Sequence, residues 1–285
     1  MFQFDFHNTN NSPAELVEAG SCVKNNTGFE KPSRAKRPYF KFYWFTAFMI
    51  AGIFISSFKH AGNKTGTLKV RFVNMANGKV ITLRDSIYKN AFGEEYSVSK
   101  LKYYISNVLI PGSGQLTEKD DYHLINAEEA VNSFEITMNA GDYKKIQFLV
   151  GVDSIRNCSG AQTGALDPMN DMFWTWNTGY IMFKLEGTSA SSTADLHRIE
   201  HHIGGYKGLN NVATPTDVNF DTAFSIRENT VTEVVIEMNL DHYWKSASEI
   251  KISETPMWMT MGGMAKKIAS NFSSLFSVMY IKAIN

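Results

Sequence analysis

The chain has 285 residues, 44% hydrophobic and 13% aromatic, enough to bury a core in one large domain or two small ones, which sets disorder aside. Its formal charge is zero, but residues 1–65 carry 8 basic and 4 acidic side chains, leaving 20 Lys and Arg against 24 Asp and Glu from Gly66 onward. A mildly acidic body without a basic stripe repels phosphate backbones and anionic headgroups, so nucleic-acid binding is excluded.

Residues 1–38 are polar and rich in Asn, Ser, Lys and Glu, and read either as a cytoplasmic tail or as an over-long gene start. The next segment, Tyr39 to Phe58, carries no charge from Phe42 onward and as a helix would cross most of a hydrocarbon core. It is expected to be a signal or a transmembrane anchor, with Tyr39, Phe42, Tyr43 and Trp44 as an aromatic belt. Arg34, Lys36, Arg37 and Lys41 precede it and only Lys59 and Lys64 follow closely, which places the remainder outside the cytoplasm, in the periplasm or cell envelope. No small-residue cleavage site follows Phe58, so retention and removal both stay open. Cys22 and Cys158 fall on opposite sides of this segment, so they are expected in different compartments and unable to pair within the chain.

From Leu68 the hydrophobic period is two: Leu68, Val70, Phe72; Leu101, Tyr103, Ile105; Phe134, Ile136, Met138; Ile146, Phe148, Val150, Val152. Further strands are expected over Gly179–Glu186 and at Thr232, Val234, Ile236, Met238 and Leu240. Met264, Ile268, Phe272, Leu275 and Phe276 recur at three- and four-residue steps after Gly262-Gly263 and predict one amphipathic helix. The expectation is a mainly β, antiparallel sandwich-like domain over residues 66–285, closed by that helix. There is no internal repeat, Walker motif or Gly-rich phosphate loop.

The densest stretch runs from Gly151 to Gly208. It contains Leu166-Asp167-Pro168, then Met172-Phe173-Trp174-Thr175-Trp176-Asn177-Thr178-Gly179-Tyr180, then Lys184-Leu185-Glu186-Gly187 and His202-Ile203-Gly204-Gly205. With Met261 to Phe272, these motifs resemble the MbnP-like family of periplasmic proteins, over most of residues 68–276. The resemblance implies a secreted β-rich fold that binds copper through histidines and kynurenine, an oxidised tryptophan. It also implies an oxidising partner, a dihaem cytochrome c peroxidase-like protein. Carried over, the family's histidine matches His202 and its W-x-W pair matches Trp174 and Trp176, with the modified tryptophan undecided. Where relatives place an upstream histidine, this chain has Arg156, Asn157 and Asp167. His201 could substitute only if the backbone bends near Gly204-Gly205, because neighbours on a strand point to opposite faces.

Each candidate has a plainer reading. Trp174 and Trp176 at a spacing of two could simply pack in the core, and His202 could be hydrogen-bonded within the fold. Asp167, Asn170 and Asp171 read as a solvated turn after Pro168 rather than a calcium loop, since no bidentate Glu follows at the expected distance. His123, His197 and His242 read as scattered and exposed, and Cys158 as a thiol. Glu200, His201 and His202 near Ser191, Ser192 and Thr193 carry no hydrolase signature, so no enzyme is expected. Beside the copper protein stands an alternative, a non-catalytic interaction module of the envelope without metal.

Overall fold

Alternation at Leu68, Val70 and Phe72 is realised as β1 (Thr65–Ala76), whose side chains are buried at every second position. The computed structural model describes residues 64–114, 121–160, 162–175 and 179–284. The polar tail, the apolar segment 39–58, Cys22 and Trp176 lie outside them. After β1 the chain runs through β2 (Lys79–Val80), β3 (Tyr88–Lys89), β4 (Glu95–Leu109), β5 (Tyr122–Asn126), β6 (Asn132–Asn139) and β7 (Gly141–Val150). A short helix α1 (Ser154–Cys158) leads to β8 (Phe173–Thr175), β9 (Gly179–Thr188), β10 (Arg198–Gly204), β11 (Thr214–Ile226) and β12 (Val231–Asn239). Then come α2 (Leu240–Trp244), β13 (Met257–Trp258), α3 (Gly263–Ala269) and β14 (Phe276–Ile284).

Two sheets share the core. One has the order β14-β12-β1-β2, with β6 also on β1; the other has β11-β7-β4-β9-β10-β13, with β3 and β5 also on β4 and β8 on β9. Phe72 of the first sheet meets Tyr103 and Phe148 of the second edge-to-face, at ring-centroid distances of 6.4 and 6.0 Å. This is a β-sandwich, as expected, and mostly antiparallel. Its centre departs from that pattern, because β1 and β12 pair in parallel from Thr67↔Val231 to Met75↔Asn239.

The C-terminal expectation needs correction. α3 ends at Ala269, and Phe276 opens the edge strand β14 instead of continuing the helix. The cause is Asn271, wholly buried, whose side-chain amide donates to the carbonyls of Tyr243 and Ser248 and whose oxygen accepts from the Ser248 amide, all within 2.9 Å. That side chain pins the chain out of helical register, and a 3-10 turn, Phe272–Ser274, still delivers Phe272 and Leu275 to the core. Leu240 is likewise not in a strand. It opens α2, where the Asn239 side chain caps the Asp241 amide.

Candidate functional site

The site is built on three neighbouring strands. Lys102, Lys184 and His202 stand side by side across β4, β9 and β10, and Lys100, Glu186 and Glu200 form the next row. Alternation sends Leu101, Tyr103, Phe183, Leu185, His201 and Ile203 into the core and leaves the two charged rows on the opposite face. His202 Nε2 lies 2.9 Å from a Glu186 carboxylate oxygen, and Lys100 lies 3.5 Å from the other. Its hydrogen bond to His202, aided against burial by Lys100 and Lys184, holds the Glu186 carboxyl below the usual carboxylate range.

Asp171 completes this network from above. Asp167 caps the turn Pro168–Asn170, and Asp171 follows in the left-handed region, φ 60°. Its carboxylate reaches Lys184 at 2.9 Å and Lys100 at 3.1 Å, and its carbonyl also accepts from Lys184. Burial alone would raise the Asp171 carboxyl, but the two lysines outweigh it and hold it low. The side chain of Lys184 is 2% exposed, so this charge is compensated rather than solvated. The turn reading of Asp167, Asn170 and Asp171 therefore describes their conformation, and Asp171 additionally serves as a counter-charge.

Residues 151–160 and 162–174 cover the same face and make a second small core of Tyr104, Val152, Leu166, Met172, Tyr180 and Ile181, against which Trp174 packs. The Trp174 ring sits on Gly204: a Cβ there would lie 2.9 Å from the indole and 2.7 Å from the Tyr180 carbonyl oxygen. The two motifs that stand out in the sequence are thus in contact. Trp176 lies outside the described residues.

The positions that replace the expected upstream histidine have other duties. Asn157 is buried, accepts from the Tyr180 amide at 2.9 Å and donates to the Val152 carbonyl at 2.8 Å. Arg156 lies over the Tyr122 ring and donates to Gln162, while Asp167 accepts from the Met169 amide.

His201 does not join His202. No bend turns it outward: its ring is wholly buried, with Nδ1 2.8 Å from the Tyr243 hydroxyl and Nε2 2.7 Å from the Thr255 carbonyl. A carbonyl only accepts, so Nε2 carries the proton and Nδ1 accepts from Tyr243. Burial lowers its pKa to about 4, so it is neutral at neutral pH.

Three smaller readings are also settled by geometry. His123 is half-buried rather than exposed, stacked on Phe134 at 3.7 Å. Cys158 is not an unpaired thiol, because it is disulfide-bonded. The Ser192 hydroxyl donates to the Arg198 carbonyl, not to a histidine.

Among the described residues, no group of three or more His, Cys, Asp and Glu side chains is placed to hold a metal ion. What the face offers is the His202 imidazole and the carboxylates of Glu186, Glu200 and Asp171 inside a lysine frame, beside an indole. Glu186, Lys184 and Lys100 were the part missed from sequence, although polar residues alternating with Leu101, Tyr103, Phe183 and Leu185 signal an outward charged row.

Comparisons with known proteins concern the family of the chain. The family profile described as MbnP matches residues 65–261. Among solved structures, the chain is similar to MbnP from Methylosinus trichosporium at 12% sequence identity and a TM-score of 0.47, covering 78% of this chain and 100% of that one. Among curated proteins none matches.

Proposed function

Because the chain belongs to the MbnP family, we propose that it is an exported, non-catalytic copper-binding protein whose metal face surrounds His202 and Glu186. The observation that carries this reading is the seating of Trp174 on Gly204, two residues from His202, which joins the indole motif to the imidazole motif on one outward face. An imidazole nitrogen suits copper, and a kynurenine formed from Trp174 or Trp176 would supply the further donor that the described residues lack. His202 would hold the metal through a ring nitrogen, and Glu186 would orient that ring. Oxidation of the tryptophan is assigned to a separate dihaem peroxidase-like partner. Membrane attachment is assigned to residues 39–58; among the described residues no helix is long and apolar enough to cross a membrane.

A second reading is favoured by one specific observation. His202 Nε2 is already engaged by Glu186, and Arg156, Asn157 and Asp167 are used as braces, as expected of an interaction module without metal. Equilibrium dialysis and intact mass of the full chain, isolated from its native host, separate the two. The copper reading expects one bound ion and a mass gain for replacement of an indole ring carbon by oxygen. It also expects His202→Ala to weaken binding by about 10–100-fold or more. Absence of both copper and modified tryptophan decides for the interaction module.

A further inference from the structure

Met257, Met259, Met261 and Met264 fall within eight positions of a chain that has 13 methionines in 285 residues. Methionine is ordinarily a filler of core gaps, yet this cluster sits at an edge. Met259 is 42% exposed, and Met257 and Met261 are half-buried. Met264 differs, since it lies in the first turn of α3 and packs against the main core.

The fold holds the first three along one margin of the large sheet. β13 pairs in parallel with β10, so that Met257 stands beside Glu200 and Trp258 beside His201. Met257 therefore shares the outward side of Glu200 and His202, while Trp258 packs against the core. The Trp258 indole donates to the Thr260 carbonyl at 2.8 Å and fixes the backbone between Met259 and Met261. Met261 reaches back to Gly205, where a Cβ would lie 3.4 Å from its Cγ. Three methionines at every second position thus lie along this edge, with Met261 next to the Gly204-Gly205 turn.

Thioethers are soft, neutral donors that select monovalent ions such as Cu(I) over hard cations, and three unbranched side chains can close around one ion. We propose that Met257, Met259 and Met261 form a second site, for a soft monovalent d10 cation, Cu(I) or its analogue Ag(I). Its ligands are distinct from His202, although Met257 lies on the same outward side, and it does not rest on His202 binding copper. Neutral donors do not compete with protons, so affinity at this site is independent of pH across the histidine range.

Ag(I), stable in air, is the probe. The full chain, with labelled methionine methyl groups, is titrated in chloride-free buffer and followed by NMR and calorimetry. The expected result is saturation at one Ag(I) per chain, with shifts confined to the methyls of residues 257, 259 and 261. Met257→Leu, Met259→Leu and Met261→Leu together conserve volume and lower affinity on the order of 100-fold. Met259→Leu alone, at the most exposed position, keeps the fold and already weakens binding. His202→Ala leaves Ag(I) binding intact, and affinity at about pH 5 equals that at about pH 7, on either side of an ordinary histidine pKa. Unchanged binding in the triple variant, loss of binding in His202→Ala, or shifts at other methionines would overturn the proposal.

Discussion

His201 and His202 are neighbours in β10, and the two sides of the sheet treat them in opposite ways. On the core side, burial removes the charge and two neutral hydrogen bonds take over, from Tyr243 and to Thr255. On the outer side, His202 is hydrogen-bonded to Glu186 within a network that includes Lys100, Asp171 and Lys184, in which each lysine has a carboxylate within 3.5 Å. A core histidine is kept by being made apolar in effect, and an outer one by being matched. Of the two, His202 is therefore the one whose imidazole can act outside the core.

The contrast can be broken first from the core. Phe183 is wholly buried and stacks on Tyr103, Tyr243 and Phe272 at 5.6, 5.2 and 5.0 Å. Phe183→Ala should cost about 3–5 kcal/mol in denaturant unfolding by opening a cavity among these rings. A loss below about 1 kcal/mol would mean that the core side tolerates disruption as a surface does.

Acid titration tests the next term. His201 has a folded pKa of about 4 against an unfolded value of 6.5. Between those values the unfolded chain binds the extra proton, so stability falls as pH drops, by about 3 kcal/mol in total. The lowered carboxyls of Glu186 and Asp171 withdraw their contributions only as pH falls below their ordinary values of 4.5 and 3.8. Between 6.5 and 4.5, above the range of these two carboxyls, His201 contributes a stability that falls with pH. His201→Asn should flatten the stability profile there, and an unchanged slope would remove His201 from the account.

The smallest effect sharpens the outer side. Asp171→Asn deprives Lys184 of its nearest counter-charge but leaves the Asp171 carbonyl as an acceptor. Because the Asp171 carboxylate is 61% exposed, the expected loss is modest, about 1–2 kcal/mol. Adding Lys184→Met should recover most of it in a double-mutant cycle. Additive losses would show that the pair is not coupled.

The strands with one buried face were legible in sequence, because Leu68, Val70 and Phe72 or Leu101, Tyr103 and Ile105 repeat at the pleat period. β11 escaped notice although Thr216, Val218 and Phe220 alternate inward, since Pro215, Asp217, Asn219 and Asp221 between them read as loop. The closing strand was mistaken for helix because Phe272, Leu275 and Phe276 are buried from a turn whose geometry depends on Asn271 bonding residues far away in sequence. Periodicity also says nothing about which strand a neighbour will be, so the parallel β1–β12 pair was beyond it. At the site, His202, Trp174 and Gly204 were visible as motifs. The carboxylate that takes His202, and the lysines around it, depend on strand register that only pairing fixes.

The seat of Trp174 on Gly204 carries a consequence for how such sequences can diverge. A side chain at position 204 would meet both the indole and a backbone carbonyl, and β10 already shifts register between Ile203 and Gly204 to bring that backbone close. The glycine and the tryptophan are therefore one mould and one casting. In descendants of this chain a smaller residue at 174 would still leave the Tyr180 carbonyl 2.7 Å from any Cβ at 204, so the glycine should persist even where the tryptophan is replaced.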